Sequence, residues 1–374
     1  MKSRRVWSLI TAAAVAAMTL SGCGSASGAG ESAAAAQESG TEAVGEETSA
    51  DASEGTVVRI QVSRDTVCGA PMQIAAELGY FDEELAKVGQ SAEVTVAASS
   101  ETVDLLTSDQ IDAAFGLASN FITPISNGLA VSFVTGVHKG CTKFYTKSDS
   151  GITDLEGLRG KTVGVPSLSD SSTLSIKRKL ADLGFVVNGA DADVQFVAYA
   201  MSDLALALDN GAVDAIGVHE PMGTRIESAY DVVKILDTGE DEKFADEYCC
   251  MALVTQDMIQ NNPEGAAAFA RAVQKGAAYV QANPEEAARI QIEKGYVSGD
   301  PEENAQIIRG LDFHPSVEAG RTTFSNAFSD LQATGDIDAG LNEAEFTERV
   351  FPVLEGVPET TVYDAESGTF TTEE

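Results

Sequence analysis

From Thr56 onward, short β-branched runs alternate with amphipathic stretches, and that alternation narrows the fold more than any single motif does. Residues 56–62 read as a strand, and 71–78 as a helix with Pro71 at its favoured first position and Gly79-Tyr80-Phe81 closing it. Strand 92–97, helix 101–108, strand 111–117, helix 121–126 and strand 131–136 follow. Strand and helix in strict turn predict an α/β fold with a largely parallel sheet, since parallel neighbours need a crossover between them.

A second series begins after residue 147: a short helix at 155–158, strand 161–165, helix 172–183, then 194–199, 204–208 and 213–218 repeating the unit. Helix 221–230, strand 232–236 and a further apolar strand, 248–254, complete it. The rest reads as helix. Asn262-Pro263-Glu264 and Asn283-Pro284-Glu285 each set a cap residue, a first-turn proline and a first-turn acid. Residues 358–374 are polar and read as a frayed tail.

Charge divides the chain before any fold is considered. The sequence has 374 residues and a net charge of −34, which leaves no large basic face for phosphates and excludes a nucleic-acid partner. Residues 1–22 carry Lys2, Arg4 and Arg5 and no acid, with an apolar run over 6–20 that is short for a bilayer span and reads as an export signal. Residues 23–55 hold seven acids, no base and no aromatic side chain, so they cannot bury enough apolar area to offset ordering entropy and read as a disordered acidic tether. Leu20-Ser21-Gly22-Cys23 resembles the lipobox of bacterial lipoproteins, and the resemblance implies cleavage before Cys23 and lipid on its sulfur, anchoring the domain to the outer face of the cell membrane.

In open α/β sheets, ligands bind beyond the carboxyl ends of strands, where helix N-termini present unpaired N–H groups. That rule selects Asp65, Thr66, Cys68 and Gly69 after the first strand, and Ser119 and Asn120 after the third. In the second series it selects Ser167, Ser169, Asp170 and Ser171, then His219 and Glu220. Each of the hydroxyl, amide and carboxylate side chains is also an ordinary helix cap. Acids outnumber the one base, Arg64, at these junctions, which favours a neutral or amine-bearing solute.

Four cysteines remain beyond Cys23. Cys68 lies at the first junction, while His138 with Cys141, and Cys249 with Cys250, lie where the chain crosses between the two series. Outside the cytosol these allow three full pairings, of which Cys141 with Cys249 or Cys250 is the first expectation, with buried free thiols the other structural reading. The alternative is a soft site in which Cys68, His138, Cys141 and His219 hold a metal or a metal-bearing ligand. No paired CxxC spacing supports that, so no metal and no cofactor is assigned. His314, ahead of Pro315, reads as a surface or capping residue.

Several segments in order resemble the type II solute-binding proteins of ABC importers, in the branch that takes sulfonate, nitrate, taurine and thiamine precursors. They are Ala75-Ala76-Glu77-Leu78-Gly79-Tyr80-Phe81, the run from Ile152-Thr153-Asp154-Leu155 through Gly160-Lys161-Thr162-Val163-Gly164-Val165, and Leu208-Asp209-Asn210-Gly211-Ala212-Val213-Asp214-Ala215. His219-Glu220-Pro221 and Asn283-Pro284-Glu285-Glu286-Ala287 complete the set. The resemblance implies a two-lobed fold, each lobe a mixed sheet flanked by helices, with lobe 1 formed by 56–145 and 248–357 and lobe 2 by 146–247. It implies a monomer that captures a small solute between the lobes and passes it to a permease with its ATPase. No nucleophile-elbow, HExxH or P-loop pattern occurs, so an enzyme is not the expectation. A surface sensor on the same fold, or a thiol- or metal-using enzyme of the thiamine-precursor type, are the alternatives.

Overall fold

The computed structural model describes residues 55–374. The expected export signal, Cys23 and the expected tether up to residue 54 lie outside the described residues. In chain order the strands are β1 (Val57–Arg64), β2 (Ser91–Ala98), β3 (Ala113–Leu117), β4 (Val131–Lys139), β5 (Thr142–Lys147), β6 (Lys161–Val165), β7 (Val194–Ala198), β8 (Ala215–His219), β9 (Val232–Asp237), β10 (Tyr248–Thr255), β11 (Thr360–Asp364) and β12 (Thr369–Glu373). They form two five-stranded sheets, ordered β2-β1-β3-β10-β4 and β7-β6-β8-β5-β9, plus the hairpin β11-β12. β1 runs parallel to β2 and β3, and β6 parallel to β7 and β8. β10 and β5 run antiparallel to both of their neighbours. Each sheet is therefore mixed rather than largely parallel. The chain enters each sheet once from the other, and the entering strand lies reversed.

β5 is absent from the sequence reading. Thr142-Lys143-Phe144-Tyr145-Thr146-Lys147 is rich in β-formers and pairs with β8 and β9 in the second sheet. The first crossing falls at Gly140-Cys141, between β4 and β5, within the stretch from His138 to Cys141 expected to carry it. Gly140 is required there: its φ is +77°, and a Cβ on it would stand 3.0 Å from the Gly239 Cα. The outgoing chain and the end of lobe 2 touch backbone to backbone at this point.

Each sheet buries apolar side chains on both faces. Val58, Ile60, Val62, Ala252 and Val254 pack beneath the helices Ala70–Glu77 and Pro263–Ala282. Ala114, Phe133, Met251 and Leu253 pack against the Val317–Thr334 and Glu343–Val350 helices. Val163, Val165 and Ala215 pack on one side of the second sheet, and Tyr145, Ile216 and Val218 on the other. Of the two expected Asn-Pro caps, Asn262 accepts from the Gly265 N–H (3.1 Å), whereas Asn283 turns back and donates to the Tyr279 carbonyl (3.0 Å). No helix among the described residues is long and apolar enough to cross a membrane.

The tail is not frayed. β11 and β12 pair along five residues each, Phe370 sets its ring edge-on to Tyr80 at 5.3 Å, and Tyr363 lies 5.2 Å from Tyr279. Thr361 hydroxyl donates to Gln274 Oε1 (3.0 Å), fastening the hairpin to the long Pro263–Ala282 helix. Two aromatic anchors within a polar stretch outweigh its composition.

Candidate functional site

Helix N-termini from the two lobes meet at one seam. The Ala118–Ser126 helix of lobe 1 presents Asn120, whose Oδ1 accepts from the N–H of Ser171, first residue of the Ser171–Asp182 helix of lobe 2 (2.6 Å). Two helix turns onward, the Arg178 guanidinium forks onto both Glu247 oxygens at 2.8 Å each and reaches Asp330 at 2.8 Å. Lys177 adds a contact to Asp336 at 2.7 Å. The cavity left in the seam measures about 30 Å³, and its walls include Ser119, Thr142, Ser171, Arg178, Glu247 and Cys249. That holds about one water, so the lobes are closed. Larger depressions beside Lys147 and beside Arg321 hold none of the junction residues.

Behind the seam, His219 bridges the second lobe. Its Nε2 lies 2.7 Å from Asp170 Oδ1 and its Nδ1 2.9 Å from Thr142 Oγ1. Asp170 also caps its helix through the N–H and hydroxyl of Ser172 (2.9 and 2.6 Å). Burial opposes charge on both partners, but their mutual attraction wins: the ring is held well above its ordinary pKa and the carboxyl below.

The remaining thiols gather beside this pair. A ligating atom from each of His138, Cys141, Cys249 and Cys250 lies within 4.8 Å of the others. Two adjacent cysteines can serve one site because the β10 ladder is broken there. Tyr248 pairs with Lys139 and Cys250 with His138, leaving Cys249 as an extra residue. His138 Nδ1 lies 3.3 Å from Cys249 Sγ, and the ring is wedged between Phe313 and Phe115, with centroids 5.1 and 5.9 Å away. Burial disfavours the Cys249 thiolate, yet hydrogen bonds from Cys141 and Cys250 and the charge of His138 bring it well below an ordinary thiol. A hydrogen bond from Cys250, then the nearby His138, bring Cys68 down to about 6. Burial pushes Cys250 itself upward. All four cysteines are free thiols, which corrects the expected Cys141 disulfide. The expected soft quartet is also redrawn: Cys249 and Cys250 join His138 and Cys141, while His219 turns to Asp170.

The family described as NMT1/THI5 like matches residues 69–287. The chain belongs to the NMT1/THI5-like family. A search of curated proteins finds no match. Among solved structures, the aliphatic sulphonate binding protein SsuA of Escherichia coli is 14% identical, covering 80% of this chain and 94% of its own with a TM-score of 0.64. The nitrate-binding protein NrtA of Synechocystis PCC 6803 is 17% identical, covering 79% and 86%, with a TM-score of 0.64. The zinc-bound ligand binding component of an ABC-type import system from Staphylococcus aureus is 14% identical, covering 76% and 93%, with a TM-score of 0.57. The two-lobed periplasmic-binding-protein fold is thereby established.

In this NMT1/THI5-like chain the junction residues divide into two groups. Ser119, Asn120, Asp170, Ser171, His219, His138, Cys141 and Cys249 meet at or just behind the seam, with Cys68 beside the thiols. The others serve local structure. Asp65 is exposed, adopts φ +72° and bonds through its N–H to the Tyr296 carbonyl (2.8 Å). Thr66 bonds to Ser63 (3.1 Å), and Gly69 fits beneath both because a Cβ would stand 2.6 Å from the Thr66 hydroxyl. Ser167 and Ser169 bond to each other at 3.4 Å, and Glu220 is taken by Lys143 at 2.6 Å. Thr142, Arg178, Glu247 and Cys250 are seam or cluster residues that the junction rule does not select. Thr142 follows Cys141 in a strand the sequence reading passed over, and Arg178 lies two turns inside a helix.

Proposed function

We propose that this protein is the solute-binding component of an ABC importer, held outside the cell membrane by lipid on Cys23 and delivering a small molecule to a permease and its ATPase. The observation that carries the reading is the convergence of both lobes on one seam, where Asn120 meets Ser171 across two helix N-termini. Hinge closure about two crossing segments is how such folds enclose a solute. The likeness to the sulphonate- and nitrate-binding proteins supports the same role. In the closed form the seam has no room for an organic molecule, so capture requires the Arg178 contacts to open first.

A panel of alkanesulfonates, nitrate, pyrimidines and amines, added to the purified protein, tests this by melting temperature. A ligand that binds only the native state must raise it, by about 2.7 kcal/mol of stability at a hundredfold excess over Kd. No shift across the panel removes these solutes as the cargo. One observation favours a second reading, an enzyme: the His138–Cys249 pair has the thiolate that nucleophilic chemistry needs. Turnover of a pyrimidine precursor by purified protein without a permease would decide for it.

A further inference from the structure

We propose that His138, Cys141, Cys249 and Cys250 form a binding site for a thiophilic d10 cation, zinc(II) or copper(I), in the floor of the interlobe cleft. The donors come from the end of β4, the first crossing and β10, yet their ligating atoms all lie within 4.8 Å of one another. A tetrahedral site with bonds of about 2.3 Å to sulfur and about 2.0 Å to nitrogen needs separations of roughly 3.5–3.8 Å, so a contraction of about 1 Å completes it. Three thiols and one imidazole, with no carboxylate among them, select soft or borderline ions over calcium or magnesium.

Two further observations point to a ligand. His138 is fully buried and its Nε2 has no hydrogen-bond partner, an arrangement that a purely structural histidine avoids. The bulge at Cys249 interrupts the β4–β10 ladder in the middle of the cluster and brings a second thiol to the same place. The Lys139 carbonyl, 3.3 Å from His138 Nδ1, is placed to orient the ring as outer-shell acceptors do at metal sites. Cys249 is the half-exposed member and also lines the cleft cavity, so an ion reaches the others past it. Binding requires thiolates, so remaining thiol protons leave to solvent as the ion enters. The inference rests on the binding-protein reading for its biological meaning, since it gives that cleft a class of cargo.

Full-length protein, purified in detergent and reduced under argon, is titrated with cobalt(II) as a spectroscopic stand-in for zinc, and separately with copper(I) against a chromogenic chelator. The expected result is one ion per chain in at least one arm. In the cobalt arm it shows as tetrahedral d–d bands with thiolate charge transfer that zinc abolishes. Cys249→Ser, at the half-exposed position, lowers affinity by more than about 100-fold, beyond what loss of an outer-shell partner costs. Cys141→Ala is the second variant, and the ion-free circular dichroism of each shows whether it folds. Cys23 is present throughout, so any contribution from it cancels. An octahedral cobalt spectrum with no copper uptake, or affinities the same in folded variants and wild type, overturns the site. Loss of ion binding with a solute-induced melting shift intact removes this inference alone. Stoichiometric ion binding without any organic solute shift supports the site and removes only the organic cargo.

Discussion

His219 Nε2 stands 2.7 Å from Asp170 Oδ1, and the same carboxylate caps the Ser171–Asp182 helix. One oxygen thus fixes the imidazole at the end of β8 and the start of the helix that meets Asn120 across the seam. Thr142 on the ring's other nitrogen ties in the first crossing beside Cys141.

The pair predicts a specific pH profile. His219, raised, contributes stability fully below about pH 6.5 and loses it as the pH climbs through its folded value. Asp170, lowered, contributes above about pH 4 and loses it as the pH falls through its folded value. The pair therefore counts most between about pH 4 and 6.5. Asp170→Asn keeps a good cap residue but removes the charge, and should cost about 3 kcal/mol in that window. In thermal melts from pH 4 to 10, the gap to wild type should narrow toward the alkaline end. A gap independent of pH would show that the charge is not what matters.

Cys249 should react as a thiolate. In ion-free protein, iodoacetamide at pH 6 alkylates Cys249 ahead of Cys141 and Cys250, because hydrogen bonds from Cys141 and Cys250 together with His138 hold its thiol low and it alone of the three is partly exposed. His138→Gln should slow that reaction by at least about tenfold, one pKa unit's change in thiolate fraction. Peptide mapping by mass spectrometry reads the site directly. Equal labelling of the thiols, or no effect of the substitution, would refute the ion pair.

Arg178 should hold the lobes shut. It is 3% exposed as a side chain and joins the lobe 2 helix to Glu247 and to Asp330 of lobe 1. Arg178→Met leaves Glu247 without its guanidinium while Lys243 still holds Asp330, at a cost of about 3 kcal/mol if the lobes stay closed. Opening relieves that cost, so small-angle scattering should show a larger radius of gyration than wild type. An unchanged radius together with an unchanged melting temperature would contradict this role.

Most of the fold was legible because its strands are short, β-branched and bounded by glycine or cap residues, as at Lys161–Val165, where the reading and the structure agree at both ends. β5 escaped because polar Thr142, Lys143, Thr146 and Lys147 mask a strand buried by its neighbours. The junction rule found His219, Asp170, Asn120 and Ser171, whose chemistry sits next to strand ends. It could not find Arg178, which acts from within a helix, nor foresee that a bulge would bring Cys249 and Cys250 to one place. Register and side-chain reach decide those, and neither has a local sequence signature.

The tail offers the sharpest contrast between composition and packing. Phe370 is half-buried, edge-on to Tyr80 and 4.9 Å from Tyr363, its cross-strand partner, so the hairpin's two rings meet one from near the start of the domain. Truncating one such ring removes about half of a full aromatic burial plus the ring–ring contact, so Phe370→Ala should cost about 1–2 kcal/mol. The hairpin contacts the Pro263–Ala282 helix through Thr361 and Gln274, and that helix also covers β1 and β10. The loss should therefore lower the melting temperature of the whole domain and not merely loosen an end. Limited proteolysis provides the second measurement: wild type resists cleavage within residues 360–373, and Phe370→Ala is clipped there. Equal susceptibility in both proteins, with no change in melting, would restore the frayed tail.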